Sequence, residues 1–476
     1  MQAMELRTAG FALAMVALVT WAQSGARGAA ASLASPPDAV RMQARRIFAD
    51  IIAIESSVGK GEVPHVARYL ADRFREGGFP AADIHILPLG ETASLVVRYR
   101  GSGAGRPVAF MGHMDVVTAK RSDWQRDPFH LIEENGYFFG RGTADIKQEL
   151  ALLTATFTRL KAEGFVPTRD LIIAFSGDEE TAQATARDLV TVHRDLLDVE
   201  FAVNSDGGGG VLSEGSAQPR MYYVQGAEKS SAQFLLTTRN PGGHSSQPRA
   251  ENAIYDLADA LKSVQGYEFP VMWNDWTIGD FKAAATVTPG LFGAAMRKFA
   301  ADPKDAAAAA EISKNPAFVG RVRTTCVATM LQGGHAENAL PQSATATINC
   351  RIFPGTSAAE VQNTLQRLAG PKVEVSQGYE ALVSDASPMR ADVVSAVARA
   401  VQAANPGARI APTQSVYTTD GAVFRGAGIP TYGVAGVYIM NSEDFSHGLD
   451  ERIRVVEFYK GLTFWYEFIK ALAGPS

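Results

Sequence analysis

Several short segments of the chain end in side chains that can hold a cation or move a proton. His113 and Asp115 close the run PVAFMGHMD, Glu179 and Glu180 follow DLIIAFSGD, and Asp206 follows FAVNS. A further acid, Asp145, lies in the glycine-rich segment GRGTADIK. The spacing His113-x-Asp115 puts both side chains on one side of an extended backbone. Asp115 can then accept a hydrogen bond from the His113 ring nitrogen that faces away from a metal, which orients the ring for ligation. Asp115, Asp145, Glu179, Glu180 and Asp206 in one cleft would repel strongly, and carboxylates at that density stay ionised only beside cations. No CxxC spacing occurs, so any metal must rely on histidines and carboxylates. Singly, each pattern is weak. Adjacent glutamates usually form a solvated face, and glycines 207–210 alone read as a turn.

Whether these groups meet depends on the elements that carry them. The runs PVAFMGH, DLIIAFSG and FAVNSDG are short, rich in β-branched and aromatic residues and glycine-bounded, which predicts buried strands. Ile146, Leu150, Leu153, Phe157 and Leu160 recur at helical spacing between the first two, and Val66, Tyr69, Leu70 and Phe74 mark a helix over 63–76. Strands alternating with helices predict an α/β fold, a mostly parallel mixed sheet flanked by helices. Sites in such sheets form beyond the carboxyl ends of the strands, where these residues fall. Near Met221 the texture changes. YYVQGAEKSSAQFLLTT reads as antiparallel strand, followed by a helix at 252–264, an irregular stretch with Trp273 and Trp276, and an alanine-rich helix at 302–312. Past Pro354-Gly355 the α/β pattern returns, with a helix at 391–404 and a strand around 431–437. The simplest organisation is one α/β domain, 39–222 and 356–476, interrupted by an α+β insertion at 223–355.

Taken together, the segments resemble one family. MGHMDVV, W-x-x-DPF at Trp124 and Asp127–Phe129, GRGTADIK, SGDEE, NSDGG and GGHSSQP occur in the order found in the co-catalytic di-zinc metallopeptidases. These form family 20 of clan MH, with aminoacylase, carnosinase and carboxypeptidase S. The late segment NSEDFSHGLDERI is most similar to the carboxypeptidase S branch. The resemblance covers about 39–476 and implies a zinc domain interrupted by a lid and dimerisation domain, matching the break at 223–355.

Carried over residue by residue, the resemblance implies that Asp145 bridges two zinc ions. His113 and Asp206 would complete one site, Glu180 and His447 the other. Histidine and carboxylate ligands without thiolate suit zinc, with manganese or cobalt as alternatives. Two such ions hold a hydroxide and polarise a carbonyl, and Glu179 would be the general base. His244 in GGHSSQP would stabilise the oxyanion, often across a dimer interface. Asn338 and Arg351 match positions that hold the substrate carboxylate, for which an arginine fork is the natural receptor. The Thr419-Asp420-Gly421 loop would line the same pocket, giving Asp420 a place in substrate binding. The expected activity is hydrolysis of a peptide bond beside a free carboxylate, as a carboxypeptidase or dipeptidase, with N-acyl amino acid hydrolysis second. A non-catalytic peptide-binding protein on the same fold is a remote third, since every ligand position and the base are present. Trp273, Trp276, Phe281 and Phe292, within 266–325, offer either an apolar wall for acyl groups or simply lid core. His65, His85, His130 and His193 read as structural or exposed, and His335 lies near Asn338 without an assigned role.

Composition agrees with a globular enzyme. Of 476 residues, 46% are hydrophobic and 20% charged, with a net charge of −5. That excludes a disordered or collagen-like chain, and no basic field is present to attract nucleic acid. Arg7, the apolar run 9–22 and the small residues up to Ala31 predict a cleaved signal peptide over 1–30, hence a periplasmic or secreted protein. The apolar run is too short to span a bilayer. Cys326 and Cys350 sit in two strand-like runs that could face each other, leaving a disulfide and two unpaired buried thiols equally open. GxSxG, P-loop and HExxH patterns are absent, which leaves serine hydrolases, nucleotide-binding enzymes and single-zinc proteases without support.

Overall fold

Alternation of side chains along PVAFMGH decides how the centre of the molecule is built. In the computed structural model, which describes residues 35–379 and 381–475, Val108 and Phe110 face one layer of helices and Ala109 and Met111 the other. The leader read over 1–30 lies outside the described residues. The strand Gly105–His113 pairs in parallel with Arg169–Ser176 on one side and Phe201–Asn204 on the other. Its register sets His113 opposite Ser176 and Met111 opposite Asn204, so all three strands end at one edge.

These strands are the core of a ten-stranded sheet. Thr92–Tyr99 and Ile84–Leu89 extend it antiparallel beyond Arg169–Ser176. On the other side come Thr431–Gly433, parallel to Phe201–Asn204, then Pro219–Glu228, Gly209–Leu212 and Tyr438–Ile439. Arg409–Ser415 runs parallel beside Pro219–Glu228. The architecture is the expected α/β one, with a parallel centre and antiparallel flanks. The helix Lys147–Ala162 is buried on almost every side, because Asp38–Ile52 and Val455–Ala473 pack against it over the sheet. Leu150, Leu153, Phe157 and Leu160 join the main core together with Ala151 and Ala155. Ala184–Thr191 and Asp420–Gly426 cover the opposite face through Leu189, Val423 and Phe424.

A second, four-stranded antiparallel sheet is built from Ser230–Arg239, Thr325–Gly333, Ser343–Ile352 and Val373–Gln377. The helices Ala253–Gln265 and Ala358–Ala369 cover one of its faces. Two of these elements, Ala358–Ala369 and Val373–Gln377, follow residue 355. The segment that reads as one strand, YYVQGAEKSSAQFLLTT, divides: it belongs to the large sheet up to Glu228 and to the small one from Ser230. Lys229 sits between them, its Nζ donating to the Arg323 carbonyl at 2.8 Å and to Thr325 Oγ1 at 3.1 Å. Cys326 and Cys350 are direct cross-strand partners in the second sheet and form a disulfide, which resolves the two alternatives.

The stretch 266–325, read as irregular before its alanine-rich helix, is largely helical. Asn274 and Thr277 form a reciprocal capping box that starts Asp275–Ala284, and Asp305 caps Ala306–Ser313. Phe281 and Phe299 pack there in a small core of their own, and Trp276 enters the main one. Among the described residues no helix is long and apolar enough to cross a membrane.

Candidate metal centre

The loops that leave His113, Ser176 and Asn204 at the common sheet edge bring five of the chemistry-bearing residues together. His113 Nε2 lies 3.0 Å from Asp145 Oδ1 and 4.0 Å from Asp206 Oδ2. The second oxygen of Asp145 lies 3.1 Å from His447 Nε2, which is also 3.0 Å from Glu180 Oε1. Asp145 therefore stands between two histidines with one oxygen directed at each. The donor atoms of His113, Asp145 and Glu180, and those of His113, Glu179 and Asp206, each fall within 4.8 Å of one another.

His113 is oriented from behind. Its Nδ1 lies 3.0 Å from the Asp115 main-chain carbonyl and 3.5 Å from the Asp115 carboxylate. A carbonyl only accepts, so Nδ1 carries a proton, and Nε2 is the ring atom left facing Asp145, where its proton would give way to a cation. The expected carboxylate partner is thus mainly the backbone of the same residue. The Asp115 carboxylate instead accepts the Glu179 and Glu180 N–H groups, each at 3.1 Å. Asp178 is likewise structural, accepting the Ala184 and Thr185 N–H groups at the start of their helix.

Burial raises the Glu179 carboxyl well above its usual range, and the Asp206 carboxylate adds to the effect. Asp206 is raised in the same way, by burial and then by Asp145, against the opposing pull of His113. Burial would raise Asp145 too, but hydrogen bonds from His113 and His447 hold it well below the carboxylate range. Hydrogen bonds to Asp145 and Glu180 push His447 up to about 10. Crowded acids, around two histidines whose Nε2 atoms are directed at carboxylate oxygens, form a donor set that divalent cations complete. The residues fit a pair of metal ions with mixed nitrogen and oxygen ligands.

Beside this centre opens a cleft of about 1130 Å³. Glu179, Glu180, Asp206 and His447 line it, together with the apolar residues Val211, Val437, Ile439 and Met440. Arg351 from the small sheet also lines it, 3.5 Å from Thr418 Oγ1. Among the described residues no acidic side chain pairs with it.

The chain matches the profile of Peptidase family M20/M25/M40 over residues 109–471. It belongs to this family. The match spans His113, Asp145, Glu179, Glu180, Asp206 and His447. Among curated proteins, the chain is 27% identical over 384 residues to human N-fatty-acyl-amino acid synthase/hydrolase PM20D1, covering 77% of this chain and 74% of that one. It is 26% identical over 388 residues to the probable carboxypeptidase S-like 2 of Dictyostelium discoideum, covering 79% and 74%. The fold is that of an M20 family metallo-carboxypeptidase, Sso-CP2, from Sulfolobus solfataricus, with TM-score 0.69 at 17% identity over 90% of this chain and 99% of that one. As a member of this family the protein is a metal-dependent hydrolase.

Other expected site residues lie elsewhere. His244 and Asn338 occupy an exposed two-stranded ribbon, Gly243–His244 against Ala339–Leu340, and neither lines the cleft. His244 Nδ1 accepts from the Ser246 hydroxyl at 2.7 Å. Asp420 is buried behind the centre, takes a hydrogen bond from Ser176 Oγ and is pushed up to about 7 by burial, so its neighbour Thr419 lines the cleft in its place. Trp273, Trp276, Phe281 and Phe292 stay out of the cleft. Ser231, Tyr379, Tyr417 and Thr418 do line it, and the Ser231 and Tyr379 hydroxyls are 3.0 Å apart beside Arg351. Only Thr418, next to the Thr419-Asp420-Gly421 loop, carried a signal in the sequence.

Proposed function

We propose that the protein hydrolyses the amide bond of a peptide or N-acyl amino acid that carries a free carboxylate, with an apolar group on the acyl side. The observation that carries this reading is Arg351, unpaired by any described acid and lining the same cleft as Glu179, Glu180, Asp206 and His447. Its guanidinium grips the substrate carboxylate. Ser231, Thr418 and Tyr379 supply hydroxyls around it. The apolar residues Val211, Val437, Ile439 and Met440 receive the acyl side. His113, Asp145, Glu180, Asp206 and His447 are the ligands of two zinc ions, with manganese or cobalt as substitutes. When bound, the metal pair supplies Lewis acidity to the scissile carbonyl and to the attacking water. Glu179 takes the proton from that water and returns it to the leaving amine, and Asp115 holds Glu179 in place through its backbone.

Asp444 on the cleft rim is the one feature that favours a peptide over an acylated amino acid, because its carboxylate can receive a free ammonium group. The similarity to N-fatty-acyl-amino acid and carboxypeptidase S-like relatives supports both. The test is amine release by zinc-loaded protein from substrate pairs that share the carboxyl-terminal residue, one free at its amino end and one acylated. Release that chelator abolishes and zinc restores is expected. No release from any pair while two metals are bound would overturn the reading.

The unit built on the small sheet, which runs from Ser230 to Gln377, acts as a lid, and two copies assemble through that sheet. Its edge strand Thr325–Gly333 exposes Val327, Met330 and Leu331. His244, outside its own cleft, then serves the site of the partner copy. Mixing inactive His244→Ala with inactive Glu179→Gln protein should restore part of the activity; no recovery in a mixed dimer would exclude service in trans. Residues 1–30 are removed on export, and the Cys326–Cys350 bridge supports an oxidising compartment.

A further inference from the structure

Two ligands of the proposed metal pair, Asp145 and His447, come from loops about three hundred residues apart in sequence, and one buried ion pair joins those loops. The Glu451 carboxylate is fully buried and accepts four hydrogen bonds. Oε1 takes the Ala144 N–H at 2.7 Å and the Asp145 N–H at 3.0 Å. Oε2 takes the Gly142 N–H at 3.0 Å and Arg141 Nη1 at 2.6 Å. Arg141 Nη2 then donates to the carbonyls of His447, at 3.4 Å, and Gly448, at 3.2 Å. His447 has φ of 62°, the left-handed region, which is strained for a non-glycine residue and persists only when its surroundings hold it. The arginine fork does so at the carbonyl of that residue. Neither Arg141 nor Glu451 offers an atom to either set of metal donors.

We propose that Arg141 and Glu451 are positioning residues that set the bridging carboxylate of Asp145 and the ring of His447 at their common spacing, and so fix the affinity of the metal site these two share with Glu180. A buried carboxylate that accepts backbone N–H groups on one loop, while its arginine partner caps carbonyls on the other, makes the separation of two ligands a property of one ion pair. The inference rests on the reading of Asp145 and His447 as metal ligands.

The test uses the full chain, wild type against Glu451→Gln, with zinc binding measured by competition against a chromophoric chelator and the cobalt-loaded protein examined by visible absorption. The substitution keeps the size of the side chain but turns an amide NH₂ towards donors on one of its sides. The expected result is one zinc ion bound as in wild type and the other weakened roughly 10- to 100-fold. The cobalt bands should shift, and saturating zinc should restore much of kcat with KM unchanged. Arg141→Lys should show the same loss in weaker form. If Glu451→Gln fails to fold, Glu451→Asp and Arg141→Lys carry the same comparison. Two zinc ions bound at wild-type affinity with an unchanged cobalt spectrum would overturn the proposal, because a purely structural pair would lower thermal stability alone. If wild-type protein binds two zinc ions but releases no amine from any substrate, the functional reading fails and this inference stands; if it binds none, both fail.

Discussion

The Asp115 carboxylate accepts the backbone N–H of Glu179 at 3.1 Å, and its other oxygen accepts that of Glu180 at the same distance. One side chain thus fixes the turn that carries both glutamates, and the proposed division between them, base and ligand, can be measured. Glu179→Gln should lower kcat by roughly 10²- to 10⁴-fold, the range for a lost general base, with metal content near wild type. Glu180→Gln should lose metal. Elemental analysis beside steady-state kinetics checks both, and equal metal loss in the two variants would contradict the assignment.

Arg351→Ala should act on binding. A guanidinium without an acidic partner among the described residues, when it meets a substrate carboxylate, contributes about 2 kcal/mol, or roughly 30-fold, and its loss should appear mostly in KM. The matching substrate amide, which lacks the charge, should be handled alike by wild type and variant. A variant that still prefers free acid over amide by the wild-type ratio would rule out this receptor.

Lys229 gives a pH prediction. Burial, reinforced by the charge of Arg351, lowers its amine from lysine's usual 10.5 to about 7. Between those values the unfolded chain binds a proton that the folded one does not, so stability gains from this group as pH rises through the window. The folded state bears the charge-burial penalty in full below about pH 7. In metal-free protein, wild type measured against Lys229→Met should therefore gain up to about 1.4 kcal/mol per pH unit from pH 7 upward. Denaturant titrations from pH 6.5 to 9.5 check this, and a flat difference would show that Lys229 stays charged throughout.

The Cys326–Cys350 bridge closes a loop with a sequence separation of 24. Chain-entropy reasoning gives such a cross-link about 3 kcal/mol. The Cys326→Ser/Cys350→Ser double variant should unfold at correspondingly lower denaturant, and reductant should destabilise wild type but not the variant. Insensitivity of wild type to reductant would mean that the bridge does not form.

Strand content, the α/β pattern and the candidate metal donors at strand ends were legible because each depends on local chemistry. Short β-branched runs bounded by glycine make buried strands wherever they occur, and His113, Glu180 and Asp206 sit at fixed offsets from their ends. The helices in 266–325 carried a local signal too, the Asn274 and Thr277 capping box, hidden in a segment without clear apolar periodicity. Which of the candidate residues face the cleft was not legible. Asp420 lies one residue from a cleft-lining threonine, yet its carboxylate turns inward to Ser176. Tyr379 and Ser231 come from distant segments and meet only because Val373–Gln377 pairs with Ser230–Arg239, the strand that sets Ser231 opposite Arg351. Helix and strand periodicity says which side of an element is buried, not what it is buried against.

By itself, then, the order and spacing of residues determined the family and the parallel core, and marked candidate metal donors, because strand ends and their offsets are set within a few residues. Tertiary structure alone decided that Asp145 stands between His113 and His447, that Asp115 serves the glutamate turn, and that Arg141 and Glu451 tie two distant loops together. Those relations depend on distances between segments far apart in the chain, and such distances are settled only when the core packs.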